Sequence, residues 1–152
     1  MNILVSACLL GLPARYDGKE KACPWVLKLG EKHTLIPVCP EQMGGLPTPR
    51  TPSECRGLSV TDKNGVDRTE AYETGAACAV RVAEINHCTL AILKQRSPSC
   101  GSKMIYDGSF TGKIIPGAGV AARALQKAWL PVFSEEDQQA VEKVLAEADF
   151  HV

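Results

Sequence analysis

The chain has 152 residues, 17 Lys plus Arg balanced by 17 Asp plus Glu, and seven cysteines. That length predicts a single domain over residues 1–152 with a core that needs neither disulfides nor metal. The cancelled charge excludes a global field for nucleic acid or an anionic membrane, and no apolar run nears the ~20 residues that cross a bilayer. An odd, sparse set of cysteines is not a disulfide scaffold, and it points to a reducing cytoplasm where thiols stay free or bind metal. The start, Met1-Asn-Ile-Leu-Val-Ser-Ala-Cys8, lacks a basic n-region and runs straight into a strand, so it does not read as a secretion signal.

The first strand is Asn2-Ile-Leu-Val-Ser6, followed by a Gly/Pro loop over residues 10–18 and a short helix from about Pro24 to Lys32. Strand two is Thr34-Leu-Ile-Pro-Val38. The stretch from Cys39 to Glu54 holds four prolines and two glycines, which rule out a long regular element. Long ordered loops in compact domains are usually functional. Ser59 to Thr69 reads as a small hairpin turned at Asn64-Gly65. Asp67 or Thr69 is expected to cap the next helix, with Glu70 completing a capping box. That helix, about Thr69 to Asn86, sets Tyr72, Ala76, Ala79, Val80 and Ala83 at helical spacing. It leads to strand three, Thr89-Leu-Ala-Ile-Leu-Lys94. Met104 to Gly112 reads as a second hairpin or turn, Gly117-Ala-Gly119 opens a helix to about Ala128, and Pro131-Val-Phe133 is a short strand. Ser134 is expected to cap a last helix through about Glu147, with Glu135, Glu136 and Asp137 in its first turn. The alternation predicts an α/β fold: a Rossmann-like three-layer domain with a mostly parallel sheet and helices on both faces.

Three cysteines, Cys8, Cys39 and Cys100, fall just past the three buried strands. In an open α/β sheet the crevice at the carboxyl ends of the strands holds ligands. Three soft sulfur donors at one sheet edge suggest a metal or iron–sulfur centre with a coordination position left over. The chain has no Cys-x₂₋₄-Cys pair for structural zinc and no Cys-x-x-Cys redox motif. Three unconnected loop thiols and a structural zinc remain the competing readings. Cys78 and Cys88 read as core packing, and Cys23 and Cys55 follow no strand. Gly117-Ala-Gly119 reads as a tight turn, because the nucleotide-binding fingerprint is not met. His33, His87 and His151 read as solvated or capping residues.

At these positions the chain resembles a family of small bacterial proteins that includes thiouracil desulfidases. The resemblance spans nearly the whole chain and rests on Ser6-Ala-Cys-Leu-Leu-Gly11, Arg15-Tyr-Asp-Gly18, Cys39-Pro-Glu41 and Gly44-Gly-Leu-Pro-Thr-Pro-Arg50. It continues through Ser97-Pro-Ser-Cys-Gly101, Ile105-Tyr-Asp-Gly108, Gly117-x-Gly-Val120 and Val132-Phe-Ser-Glu135. It implies an iron–sulfur domain whose 4Fe–4S cluster is held by Cys8, Cys39 and Cys100, its open iron taking the sulfur of a thiolated pyrimidine. Glu41 and Ser97 are the implied catalytic pair, and Ser99 and Ser102 are expected to contact the substrate. Many relatives carry a cysteine where this chain has Ala14, which argues against a fourth protein ligand here. The expected activity is non-redox hydrolysis of a 2-thiouracil-like small molecule, with no membrane or nucleic-acid partner. The alternatives are a non-catalytic iron–sulfur sensor or sulfur carrier, or a desulfidase acting on thiolated nucleosides or tRNA.

Overall fold

The computed structural model describes residues 1–150, and His151 lies outside them. Its centre is a parallel sheet of β1 (Asn2–Ser6), β2 (Thr34–Val38), β5 (Leu90–Leu93) and β8 (Val132–Ser134), in the order β2-β1-β5-β8. The two inner strands are continuous apolar runs, Ile3-Leu4-Val5 and Leu90-Ala91-Ile92-Leu93, buried on both faces as parallel strands covered by helices must be. Pro37, which has no N–H for a ladder, sits on the edge strand β2, where such a residue is tolerated.

Side chains of alternate parity divide between two cores. Leu4, Ala91 and Leu93 pack with α3 (Thr69–Ile85) and α4 (Val120–Lys127). Ile3, Val5, Leu90 and Ile92 pack with α1 (Pro24–Lys28) and α5 (Gln138–Phe150). This is the expected three-layer arrangement, a parallel sheet between helical layers. The first helix is shorter than the spacing predicts, because it tightens to a 3-10 turn over Leu29–Glu31.

Two antiparallel hairpins lie outside the sheet: β3 (Ser53–Arg56) with β4 (Ser59–Asp62), and β6 (Met104–Tyr106) with β7 (Ile114–Pro116). The first corrects the expected pairing. Asn64-Gly65 does turn the chain, with Gly65 N–H donating to Asp62 O at 2.9 Å, but the return makes only one bridge, Thr61 to Asp67. The ladder partner of β4 is 53–56, which begins within the last two residues of the stretch read as irregular. Two caps also shift. Asp67 accepts the Thr69 N–H at 2.8 Å, while Thr69 Oγ1 accepts from Val60 N–H on β4, and the α3 N-cap residue, Arg68, makes no side-chain cap bond. Ser134 accepts the Glu136 N–H at 3.1 Å, and α5 begins only at Gln138, so residues 135–137 form the turn before the helix.

The chain runs from β1 outward to β2 and then to β5 on the opposite side of β1. That reversal makes the carboxyl ends of β1 and β5 the switch point at which open sheets hold ligands.

Candidate functional site

A cleft of about 510 Å³ opens at those carboxyl ends, and Cys8, Cys39 and Cys100 all line it. Cys8 lies in a 3-10 turn, Ala7–Leu10, directly after β1. Cys39 follows β2 and caps the single-turn helix α2 (Pro40–Met43). Cys100 lies in the loop between β5 and β6.

Backbone contact holds that loop. Val120 N–H at the start of α4 donates to Pro98 O at 2.9 Å, and Ala122 N–H donates to Ser99 O at 3.0 Å. Gly119 permits this approach, since a Cβ there would stand 2.5 Å from the Ser99 carbonyl carbon. The Val120 and Ala122 amides at the start of α4 are thus spent on the loop, and Gly117-Ala-Gly119 enters the helix as extended backbone and not as the tight turn expected. On the other side, the buried Gln95 accepts from Lys103 N–H and Met104 N–H through Oε1 at 3.2 and 3.1 Å. Ser97 Oγ accepts from Ser99 N–H and Cys100 N–H at 3.2 and 3.0 Å, closing the turn that presents Cys100.

Glu41 lies in the first turn of α2, and the helix is set by contact with α3. Gly44 and Gly75 face each other at that contact, where a Cβ on Gly75 would stand 1.8 Å from Pro40 O. Glu41 Oε1 accepts two hydrogen bonds, from Arg50 Nε at 2.9 Å and from the Tyr72 hydroxyl at 2.9 Å. Oε2 accepts one, from the Ser99 hydroxyl at 3.0 Å. The Glu41–Arg50 pair is shielded from water, with side chains 12 % and 6 % exposed. Arg50 is itself tied to Pro47 O, Thr48 Oγ1 and Ala14 O. The same Ala14 carbonyl accepts from Cys39 Sγ at 3.6 Å.

Ser97 and Ser99 hydroxyls are 3.0 Å apart, and Ser99 Oγ is 3.5 Å from Cys100 Sγ. Because Ser97 Oγ already accepts two amides, its proton is available to Ser99, and the proton of Ser99 to Glu41. Ser102 does not line the cleft: it is buried behind it, where its hydroxyl accepts from Gln95 Nε2 at 3.4 Å. In that place Ser102 supports the loop.

Burial pushes the Cys8 thiol up to about 11, an effect the Lys94 charge partly opposes. Burial likewise pushes Cys100 up to about 12, against hydrogen bonds from Ser6 and Ser99, and raises Cys39. Lys94 is itself paired with Glu135 at 2.8 Å. Burial also raises the Tyr72 phenol, which therefore stays a donor to Glu41.

Sequence reasoning missed Arg50, Tyr72, Lys94 and Glu135 as members of the site. Tyr72 was concealed in an apolar helical stripe, although a buried Tyr usually needs a partner for its hydroxyl. Arg50 and Glu135 stand at the ends of two of the motif blocks, and that was the available signal.

Tetrahedral zinc binds sulfur at about 2.3 Å, which brings its ligand sulfurs to within roughly 3.8 Å of one another. Among the described residues no three His, Cys, Asp or Glu side chains converge on one such point. Three soft donors on separate walls of a cleft suit a polynuclear iron–sulfur centre, which accepts thiolates from distant loops. The donor set fits that group.

The model of the 2-thiouracil desulfurase family matches residues 3–137. The chain belongs to that family. It is 40 % identical over 145 residues to the uncharacterized protein YbbK of Bacillus subtilis (strain 168), covering 89 % of this chain and 96 % of that one. A solved structure described as the 4Fe–4S-dependent thiouracil desulfidase TudS superposes with a TM-score of 0.91 at 40 % identity, over 95 % of this chain and 97 % of that one.

Proposed function

We propose that this chain is an iron–sulfur-dependent desulfidase that hydrolyses a thiolated pyrimidine of the 2-thiouracil type without net redox change. Cys8, Cys39 and Cys100 would hold a 4Fe–4S cluster, and with Ala14 beside them no fourth thiolate competes for the remaining iron. The observation that carries the reading is the meeting, in one cleft, of two buried thiols and a half-buried one with a water-shielded carboxylate whose donors are Arg50, Tyr72 and Ser99. When bound, the cluster would supply an open iron, a Lewis acid for the thiocarbonyl sulfur.

The protein's part is proton movement and placement. Oε1 of Glu41 is filled by Arg50 and Tyr72, so Oε2 is the basic atom that faces the reaction. It takes a proton from the attacking water and returns it to the leaving side, so thiocarbonyl plus water yields carbonyl plus hydrogen sulfide. Ser99 holds Oε2 and stands beside Cys100, and Ser97 orients Ser99 from behind. The cleft volume is that of a small-molecule site.

We also place the protein in the reducing cytoplasm, a reading supported by seven free cysteines. Among the described residues no helix is long and apolar enough to cross a membrane. The test is anaerobic cluster reconstitution followed by assay of sulfide and uracil from 2-thiouracil. Equal amounts of both are expected. Iron binding with no sulfide release from any thiolated base or nucleoside would leave a sensor or carrier instead.

A further inference from the structure

Four non-glycine residues among those described have left-handed backbone: His87, Arg96, Phe110 and Trp129. Two of them, Arg96 and Phe110, line the cleft. A bulky aromatic at φ 58° is disfavoured by its own Cβ, and such strain persists only where surroundings impose it, most often at functional sites. At Phe110 the surroundings are visible. Glu54 Oε1, from β3, accepts both the Gly108 N–H at 3.0 Å and the Phe110 N–H at 3.1 Å. Gly108 closes the same contact, since a Cβ there would stand 2.8 Å from Cys55 O. The β6–β7 turn is thereby fastened to the other hairpin, and neither hairpin pairs with the central sheet.

Nothing in the thiols and Glu41 distinguishes a planar ring from an open chain. We infer that Phe110 is the aromatic face on which the cleft recognises a planar heteroaromatic ring, and that Glu54 is the positioning residue that holds it there. This rests on the pyrimidine desulfidase reading above. Phe110 then serves specificity, and the two joined hairpins present it.

The test uses Phe110→Gly, Phe110→Leu, Glu54→Ala and Glu54→Gln, with three probes: 2-thiouracil, its product uracil, and the acyclic thioacetamide. Phe110→Gly relieves the backbone, so Tm should hold or rise. KM for 2-thiouracil in the reconstituted enzyme, and Kd for uracil by ligand-observed NMR without turnover, should both rise roughly 5- to 150-fold, the range of base–aromatic stacking losses. The kcat value should stay within about threefold and thioacetamide turnover should be unchanged, because only ring binding is removed. Phe110→Leu should lose as Phe110→Gly does. Glu54→Ala should lose in the same direction, Glu54→Gln should keep the acceptor oxygen and most of the affinity, and Glu54→Ala added to Phe110→Gly should cost nothing more. Unchanged Kd with lowered Tm would make Phe110 a packing residue and overturn the inference, as would equal losses on thioacetamide or additive losses in the double variant. A wild-type enzyme that binds uracil through Phe110 but releases no sulfide would sink the desulfidase reading and leave this one standing.

Discussion

Two of the three donors on Glu41 approach the same oxygen, and that asymmetry separates what neighbouring substitutions do. Removing the Ser99 hydroxyl strips from Oε2, the atom assigned to proton transfer, its only protein donor among the described residues, whereas Tyr72→Phe leaves Arg50 on Oε1. Ser99→Ala should therefore lower kcat more than Tyr72→Phe, and single-turnover sulfide release measures both. Glu41→Gln removes the base and should cost about 10²–10⁴-fold in kcat while keeping iron, since general acid–base catalysis is typically worth that much. Near-normal turnover in that variant would assign the proton to another group. For the thiols the readout is iron and sulfide content. Serine at Cys8, Cys39 or Cys100 should abolish retention, and alanine at Cys78 or Cys88, which lie outside the cleft, should leave it intact.

Elements rather than single groups place these atoms, and glycines at two backbone contacts show how little slack there is. Gly75→Ala would drive a methyl onto the Pro40 carbonyl, and backbone on both sides leaves no side chain to swing away. Overpacking costs typically about 1–3 kcal/mol, and the displaced element is α2, which carries Glu41. A depressed Tm together with lower kcat is expected, while a variant with normal values for both would show that α2 moves freely against α3. The long helices and central strands were readable because periodicity and continuous apolar runs are local signals. The 53–56 strand was not, because Pro52 ahead of it and the proline-rich loop gave a breaker signal that cross-strand pairing overrode. The same limit explains the site. Strand-end cysteines can be read along the chain, but the 31 positions between Glu41 and Tyr72 are closed only by the packing of α2 on α3.

The two cores lie on the faces of the sheet, and the cleft lies beyond its carboxyl edge, so fold stability and cofactor retention are separable properties. Air or a chelator should bleach the reconstituted protein and stop sulfide release with the far-ultraviolet circular dichroism unchanged. Loss of helix signal in step with colour would mean that the centre is part of the fold.

Loading the proposed centre would also be a proton-exchange reaction, since burial raises all three thiols further above their ordinary value. Below the raised pKa values the metal-free socket holds its sulfurs as S–H, and binding iron as thiolates must expel up to three protons. Acid therefore favours the metal-free side, and alkali the loaded side until the free thiols themselves ionise. In competition with a chelator of pH-independent affinity, iron retention should weaken steeply from about pH 8 to pH 6, by as much as a factor of ten per proton per pH unit. A flat profile would mean that the sulfurs are already ionised before iron arrives. On the proposed ligand set, the raised thiols would carry that proton competition to higher pH than ordinary cysteines do.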